Sequence, residues 1–177
     1  MSPLESSGKP LFFSAAAPAE TGIRAPKNRH GVALRTVARS LALMQKEALI
    51  LSSSTGAVWR LASDEGAYLM GDDVAPCPLA FMSTGMVASF MEGILAQAAL
   101  RGIRPSGLRL VQDIYYTMEG SALRGTMIGA ALPVDLRMEV ESSEKTDALG
   151  KLLEDAVASS PVSALLRNVL PSRFTLT

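Results

Sequence analysis

One cysteine, Cys77, and one histidine, His30, stand in 177 residues. A lone thiol cannot close an intrachain disulfide, and it excludes a multi-cysteine metal site. A Ser-His-Asp triad would have to use His30, which lies in the polar stretch APKNRHG with nothing nearby that reads as a nucleophile elbow. It reads as an exposed arm residue. Net charge is lacking too: 17 basic residues offset 17 acidic ones. No general attraction to nucleic acid or to an anionic membrane is therefore expected. The longest uncharged apolar stretch, about 74–91, is broken by prolines and serines at its start and predicts no membrane span. The N-terminus lacks a basic start followed by a long apolar run, so no secretory signal is expected and a cytoplasmic location is the default.

What is present is a chain long enough for a real core, with 48% apolar residues. Residues 1–30, rich in Ser, Ala, Pro and basic side chains, read as a flexible arm with one short strand at PLFFS; residues 31–177 read as one domain. Arg24, Lys27, Arg29, Arg35 and Arg39 form a basic run without an acid. It is a solvated arm and strand face on one reading, an anion or RNA patch on the other. GVALRTVAR, EALILSS and AVWRLAS predict strands, the last two as a hairpin about STG. Residues 64–78 are turn-rich.

Residues 79–102 predict a helix whose apolar residues run all the way round, hence one buried in a core or between subunits. Arg101 and Gly102 supply its stop, and Gly85, Ala88 and Ser89 are small enough to admit another backbone. LRLVQDIYYTMEG (108–120) and PVDLRMEVES (133–142) alternate as two long strands. The segment 143–159 is an amphipathic helix with Leu149, Leu152, Leu153, Ala156 and Val157 on one face. A short helix follows Pro161, and RFTLT predicts a last strand. The order gives an α+β fold with antiparallel sheet on one side and helices on the other.

This order and two local patterns resemble the OsmC/Ohr family of organic hydroperoxide reductases. The first is a proline turn leading into a helix rich in small residues, APCPLAFMSTGMVASF. The second is SSPVSALL, which matches the family's C-P-V-S-x-x-L at Pro161, Val162, Ser163 and Leu166. The resemblance covers about residues 31–177. It implies an α+β OsmC-like fold, an antiparallel sheet with a buried central helix, and an intertwined homodimer with an apolar cleft at the subunit interface. The activity it implies is peroxiredoxin-like, in a stress response. It also implies a peroxide-attacking cysteine about eleven residues after the second proline, and a resolving cysteine before Pro-Val-Ser. Those positions hold Ser89 and Ser160. The family's glutamate falls on Leu79 or Ala80, and its early-strand arginine on Arg35 or Arg24.

A thiolate attacks an O–O bond, and its sulfenic acid condenses with a second thiol. A serine hydroxyl does neither and is a weak nucleophile without a base. Thiol peroxidase chemistry of the family type is therefore not expected. What the resemblance leaves is a cleft for a small apolar or aromatic molecule, with Met82, Met86, Phe90 and Arg35 as ligand-binding candidates. Any one of these methionines reads equally as core filler. Ser89 either bonds its own i−4 carbonyl or orients a ligand opposite Ser160. Glu92, the only acid between Asp73 and Asp113, either pairs with an arginine such as Arg35 or Arg109 or serves as a relocated base. Cys77 is an inert thiol in a turn or, at a helix start, a reactive one. Tyr115 and Tyr116 should point to opposite faces of a strand, and Trp59 reads as core or interface.

Two functions compete. One is a binding protein for a small apolar ligand at a dimer interface, without thiol peroxidase activity. The other is an enzyme of changed chemistry, either a hydrolase or lyase using Ser89, Ser160 and Glu92, or a one-cysteine hydroperoxide reductase using Cys77. No cofactor, metal, nucleic acid or membrane is called for.

Overall fold

Alternating side chains in residues 34–63 build an antiparallel sheet in the computed structural model, which describes residues 13–16, 18–26, 31–121, 123–168 and 173–176. Its strands are β1 (Phe13–Ala16), β2 (Leu34–Ser40), β3 (Lys46–Ser52) and β4 (Val58–Ser63), in the order β1-β4-β3-β2. The expected hairpin is β3–β4, with Ile50 opposite Trp59. Gly56 closes its turn at φ +69°, a left-handed conformation that suits a residue without Cβ. β1 pairs with β4, so this part of the arm is a sheet strand set slightly later than PLFFS; Pro10 to Phe12 of that motif lie outside the described residues. A four-residue helix, α1 (Pro18–Thr21), follows. His30, Lys27 and Arg29 also lie outside the described residues.

The chain divides into two compact units, Met1–Phe81 and Met82–Thr177. In the first, Leu51 and Val58 are buried, and Asp64 is fully buried. Glu47 on β3 takes hydrogen bonds from Arg60 and Arg39, and these hold its carboxyl below the usual carboxylate range. Trp59 is 41% exposed, so it is not a core residue of this chain.

Helix α2 (Pro78–Leu100) begins with proline at its first position, where the missing N–H costs nothing. It ends in a Schellman motif. Gly102 takes φ +69°, Ile103 N–H donates to Ala98 C=O at 2.9 Å, and Gly102 N–H donates to Ala99 C=O at 3.2 Å. By length and composition alone the helix is apolar enough to cross a membrane. Within one chain it is buried along one face. Only Met86, Phe90, Ile94 and Ala98, an i, i+4 stripe, are buried, while Leu95 is 50% and Leu100 82% exposed.

The second unit forms around that stripe. β5 (Ser106–Asp113) pairs antiparallel with β8 (Asp135–Glu141), setting Leu110 opposite Met138. Helix α3 (Thr146–Ser159) lays Leu152 and Ala156 against Ile94 and Ala98, and Leu108, Leu110 and Met138 pack on this cluster. Gly93 is what lets the helices approach. A Cβ there would stand 3.1 Å from Ala156 O and 3.2 Å from Ala156 Cβ. The small residues expected to admit a backbone do less: Gly85 has open space around it.

The long strand expected over 108–120 is two strands. β5 stops at Asp113, and β6 (Tyr116–Glu119) pairs instead with β7 (Ile128–Ala131), a strand the sequence did not signal. Tyr115 lies between strands, and both tyrosines are exposed. Helix α4 (Pro161–Arg167) follows α3 after one residue. Residues 173–176 form no strand. The tail expected as RFTLT has no neighbouring strand edge paired to it among the described residues.

Candidate functional site

Ser160 is the single residue between α3 and α4. Its N–H donates to Val157 C=O, ending α3, and its Oγ accepts from Ser163 N–H at 3.3 Å, starting α4. Proline at the next position fixes the entry to α4 with φ already helical. One residue thus serves as C-cap and N-cap, which places its hydroxyl inside the junction, 4% exposed.

Ser89, half-buried on α2, meets that hydroxyl. The two Oγ atoms are 2.8 Å apart across 71 residues of chain. The pair that the resemblance selected is therefore a hydrogen-bonded pair, and Ser89 spends its bond on Ser160. Ser159 turns the other way and donates to Ala156 C=O at 3.2 Å. No carboxylate or imidazole is hydrogen-bonded to either serine of the pair among the described residues. The arrangement can hold a small polar group. It has no base with which to generate an alkoxide.

Beside these positions a cavity of about 540 Å³ opens in the second unit. Met86 and Phe90 from α2, Leu136 from β8, Leu153 and Val157 from α3 and Leu166 from α4 form its apolar walls. The helical spacing explains the pairing of cavity and serines: Met86 and Phe90 flank Ser89 on α2, and Ala158 and Ser163, also in the wall, flank Ser160. The polar members are Ser163, Glu154 and Arg167. None of these three stood among the candidates. The Ser-Pro junction could have flagged Ser163 through the capping rule, but nothing local distinguishes Arg167.

The remaining candidates fall elsewhere. Met82 is 38% exposed and does not line the cavity. Arg35 is exposed on β2 in the first unit and Arg24 is exposed before it. Glu92 is exposed, not enclosed in the helix packing as expected, because it lies off the buried stripe of α2. The arginine partner suggested for it, Arg109, pairs with Glu139 at 2.9 Å on the neighbouring strand. Cys77 is a half-buried free thiol in the first unit whose carbonyl accepts the first bond of α2 from Ala80 N–H. Leu79 and Ala80 occupy the first turn of α2, with Leu79 48% exposed. The described residues hold no cluster of three or more His, Cys, Asp or Glu able to bind a metal.

No protein-family model and no curated protein matches this sequence. Solved structures do match. An OsmC-like hydroperoxide resistance protein from Jannaschia sp. CCS1 aligns with 84% of this chain and 95% of its own at 19% identity, TM-score 0.53. An organic hydroperoxide resistance protein OsmC from Legionella pneumophila aligns over 80% of this chain and 92% of its own at 16% identity, TM-score 0.55. An OsmC-like protein from Mycoplasma pneumoniae gives 80%, 91% and 12%, with TM-score 0.55. At these identities the likeness is one of fold: the chain has the OsmC-like α+β fold.

Proposed function

We propose that this OsmC-fold chain is a homodimeric binding protein that holds a small apolar ligand in the cavity beside Ser89 and Ser160, without thiol peroxidase chemistry. The observation that carries the reading is the 2.8 Å bond between two hydroxyls at the positions where the resemblance puts two thiols. Oxygen in both places has no sulfenic acid to form and no disulfide to close. The apolar walls support retention of a pocket, and its volume lies within the roughly 300–1,000 Å³ of small-molecule sites. The hydrolase reading is the weaker one, since Glu92 is exposed and no base is bonded to either serine.

Purified protein with cumene hydroperoxide and a dithiol reductant is expected to consume no peroxide above the reductant-only rate. Turnover that disappears in Cys77→Ser would replace this reading with a one-cysteine reductase. The dimer rests on apolar surface that one chain leaves uncovered. Leu95 and Leu100 on α2, and Met118 and Ile128 on the β6–β7 hairpin, are each exposed by 50% or more, and large apolar side chains left open in this number are what an interface would cover. Sedimentation at micromolar concentration should give twice the chain mass, and Leu95→Glu should shift the protein toward monomer. A wild-type monomer at those concentrations would remove the dimer from the proposal.

A further inference from the structure

The rim of the cavity carries an unbalanced cation. Along α3, Lys151 donates to Asp155 at 2.6 Å and lies 4.0 Å from Glu154, and Arg101 also bonds Asp155. Two cations and two carboxylates leave this network neutral. The bond from Lys151, then that from Arg101, holds the Asp155 carboxyl below the ordinary range, so the network stays ionised and neutral at pH 7. Arg167, at the end of α4, has no carboxylate partner among the described residues. Its one hydrogen bond among the described residues runs from Nη2 to Ala158 C=O at 3.1 Å, an end-of-helix carbonyl with no partner inside α3. That bond leashes the guanidinium at the cavity edge and leaves four of its five N–H donors available. Ser163, 6% exposed, lies in the same wall.

We propose that the cavity takes an apolar monoanion, an alkyl or aryl chain bearing one carboxylate, with the chain against Met86, Phe90 and Leu153 and the carboxylate on Arg167. This rests on the apolar-ligand reading above and deepens it. Glu154 lies on the same wall with Lys151 4.0 Å away, whereas Arg167 has no carboxylate partner among the described residues, so the wall's one carboxylate is countered from outside the cavity and its one guanidinium is not. A guanidinium fixed by a backbone carbonyl offers a carboxylate a planar fork with little left to order.

The test uses three ligands of equal chain length, decanoate, decanol and decylamine, each displacing the neutral dye N-phenyl-1-naphthylamine from the full-length protein at low salt. Decanoate is expected to bind about five- to tenfold more tightly than decanol, with decylamine weakest, the gain being that of one charge-assisted hydrogen-bonded pair at a partly wet rim. Arg167→Gln should bring decanoate down to the level of decanol, Arg167→Lys should keep part of the preference, and 0.5 M salt should shrink it. Equal displacement by all three ligands would overturn the monoanion while leaving the apolar pocket standing. Tightest binding by decylamine would overturn it in favour of Glu154. Displacement by none would remove both readings.

Discussion

Replacing both hydroxyls with thiols, Ser89→Cys and Ser160→Cys in a Cys77→Ser background, should produce a protein that closes an internal disulfide under mild oxidation. The two oxygens already face one another at 2.8 Å, and a sulfur–sulfur bond needs about 2.05 Å with side chains directed at each other. Each C–S bond is longer than the C–O bond it replaces, which narrows the gap the new bond has to close. The bridge would span 71 residues, and the loop-entropy relation gives about 4 kcal/mol for a loop of that length as an upper value. Relative to wild type, the variant also loses a cap. Ser160 Oγ holds the N–H of Ser163, and replacing a serine N-cap costs about 1 kcal/mol. The cap is lost in both redox forms of the variant, so their difference in Tm reports the bridge alone and should be no more than about 16 °C. Thiol titration after oxidation should find no free thiol. Two titratable thiols under those conditions would mean that the hydroxyl pair is not held as described.

The same variant should recover little peroxide turnover. A peroxidatic thiol needs nearby cations that favour its thiolate, and no arginine, lysine or histidine side chain is hydrogen-bonded to either serine of the pair among the described residues. Arg35, the arginine candidate from the early strand, is exposed in the other unit. Restoring sulfur rebuilds the covalent link and not its activation.

Much of this was legible beforehand, for reasons that differ by element. β2, β3 and β4 follow from alternation and from turn residues between them. α3 follows from apolar residues every three to four positions, and its boundaries shift only at the N-terminal end. β7 was missed because Ile-Gly-Ala-Ala carries no alternation of hydrophobic and polar residues. The break at 114–115 was missed because β-pattern continues through Tyr115 while the partner strand does not. α2 shows the limit most clearly. An all-round apolar helix announces that it will be covered, but not which stripe its own chain covers. The stripe is chosen by where Gly93 allows α3 to approach. The serine pair was found through the resemblance; the local signal for Ser160 was only that of a helix cap. Glu92 was misjudged because its place in sequence, inside an apolar helix, says nothing of the face it occupies.

Asp64→Ala should lower Tm at neutral pH by about 5–10 °C, as expected when a buried hydrogen-bonding hub is lost. The Asp64 side chain is fully buried at the start of the loop that leads into α2. Oδ1 accepts from Glu65 N–H at 2.8 Å, and Oδ2 accepts from Asp72 N–H at 3.1 Å and Val74 N–H at 3.3 Å. The loop it gathers is tightly wound. Met70 and Asp73 take left-handed φ, and a Cβ on Gly71 would come within 1.8 Å of Glu65 O. Burial alone would push the Asp64 carboxyl up. The three backbone N–H donors and the charge of Lys46 outweigh it, and the net effect is a pKa below the usual 3.8. A carboxyl depressed in the folded state contributes stability that is fully present above its unfolded pKa and is lost as pH falls through the folded one. The Tm gap between wild type and Asp64→Ala should therefore hold steady from pH 7 to about pH 5 and close progressively below the ordinary aspartate pKa. The depressed carboxyls of Glu47 and Asp155 are present in both proteins and cancel in the difference. The protection factors of the Asp72 and Val74 amides, each taken against its intrinsic rate at that pH, should fall in wild type over the same acid range. A gap unchanged between pH 7 and pH 3 would show that the Asp64 carboxylate does not hold this loop.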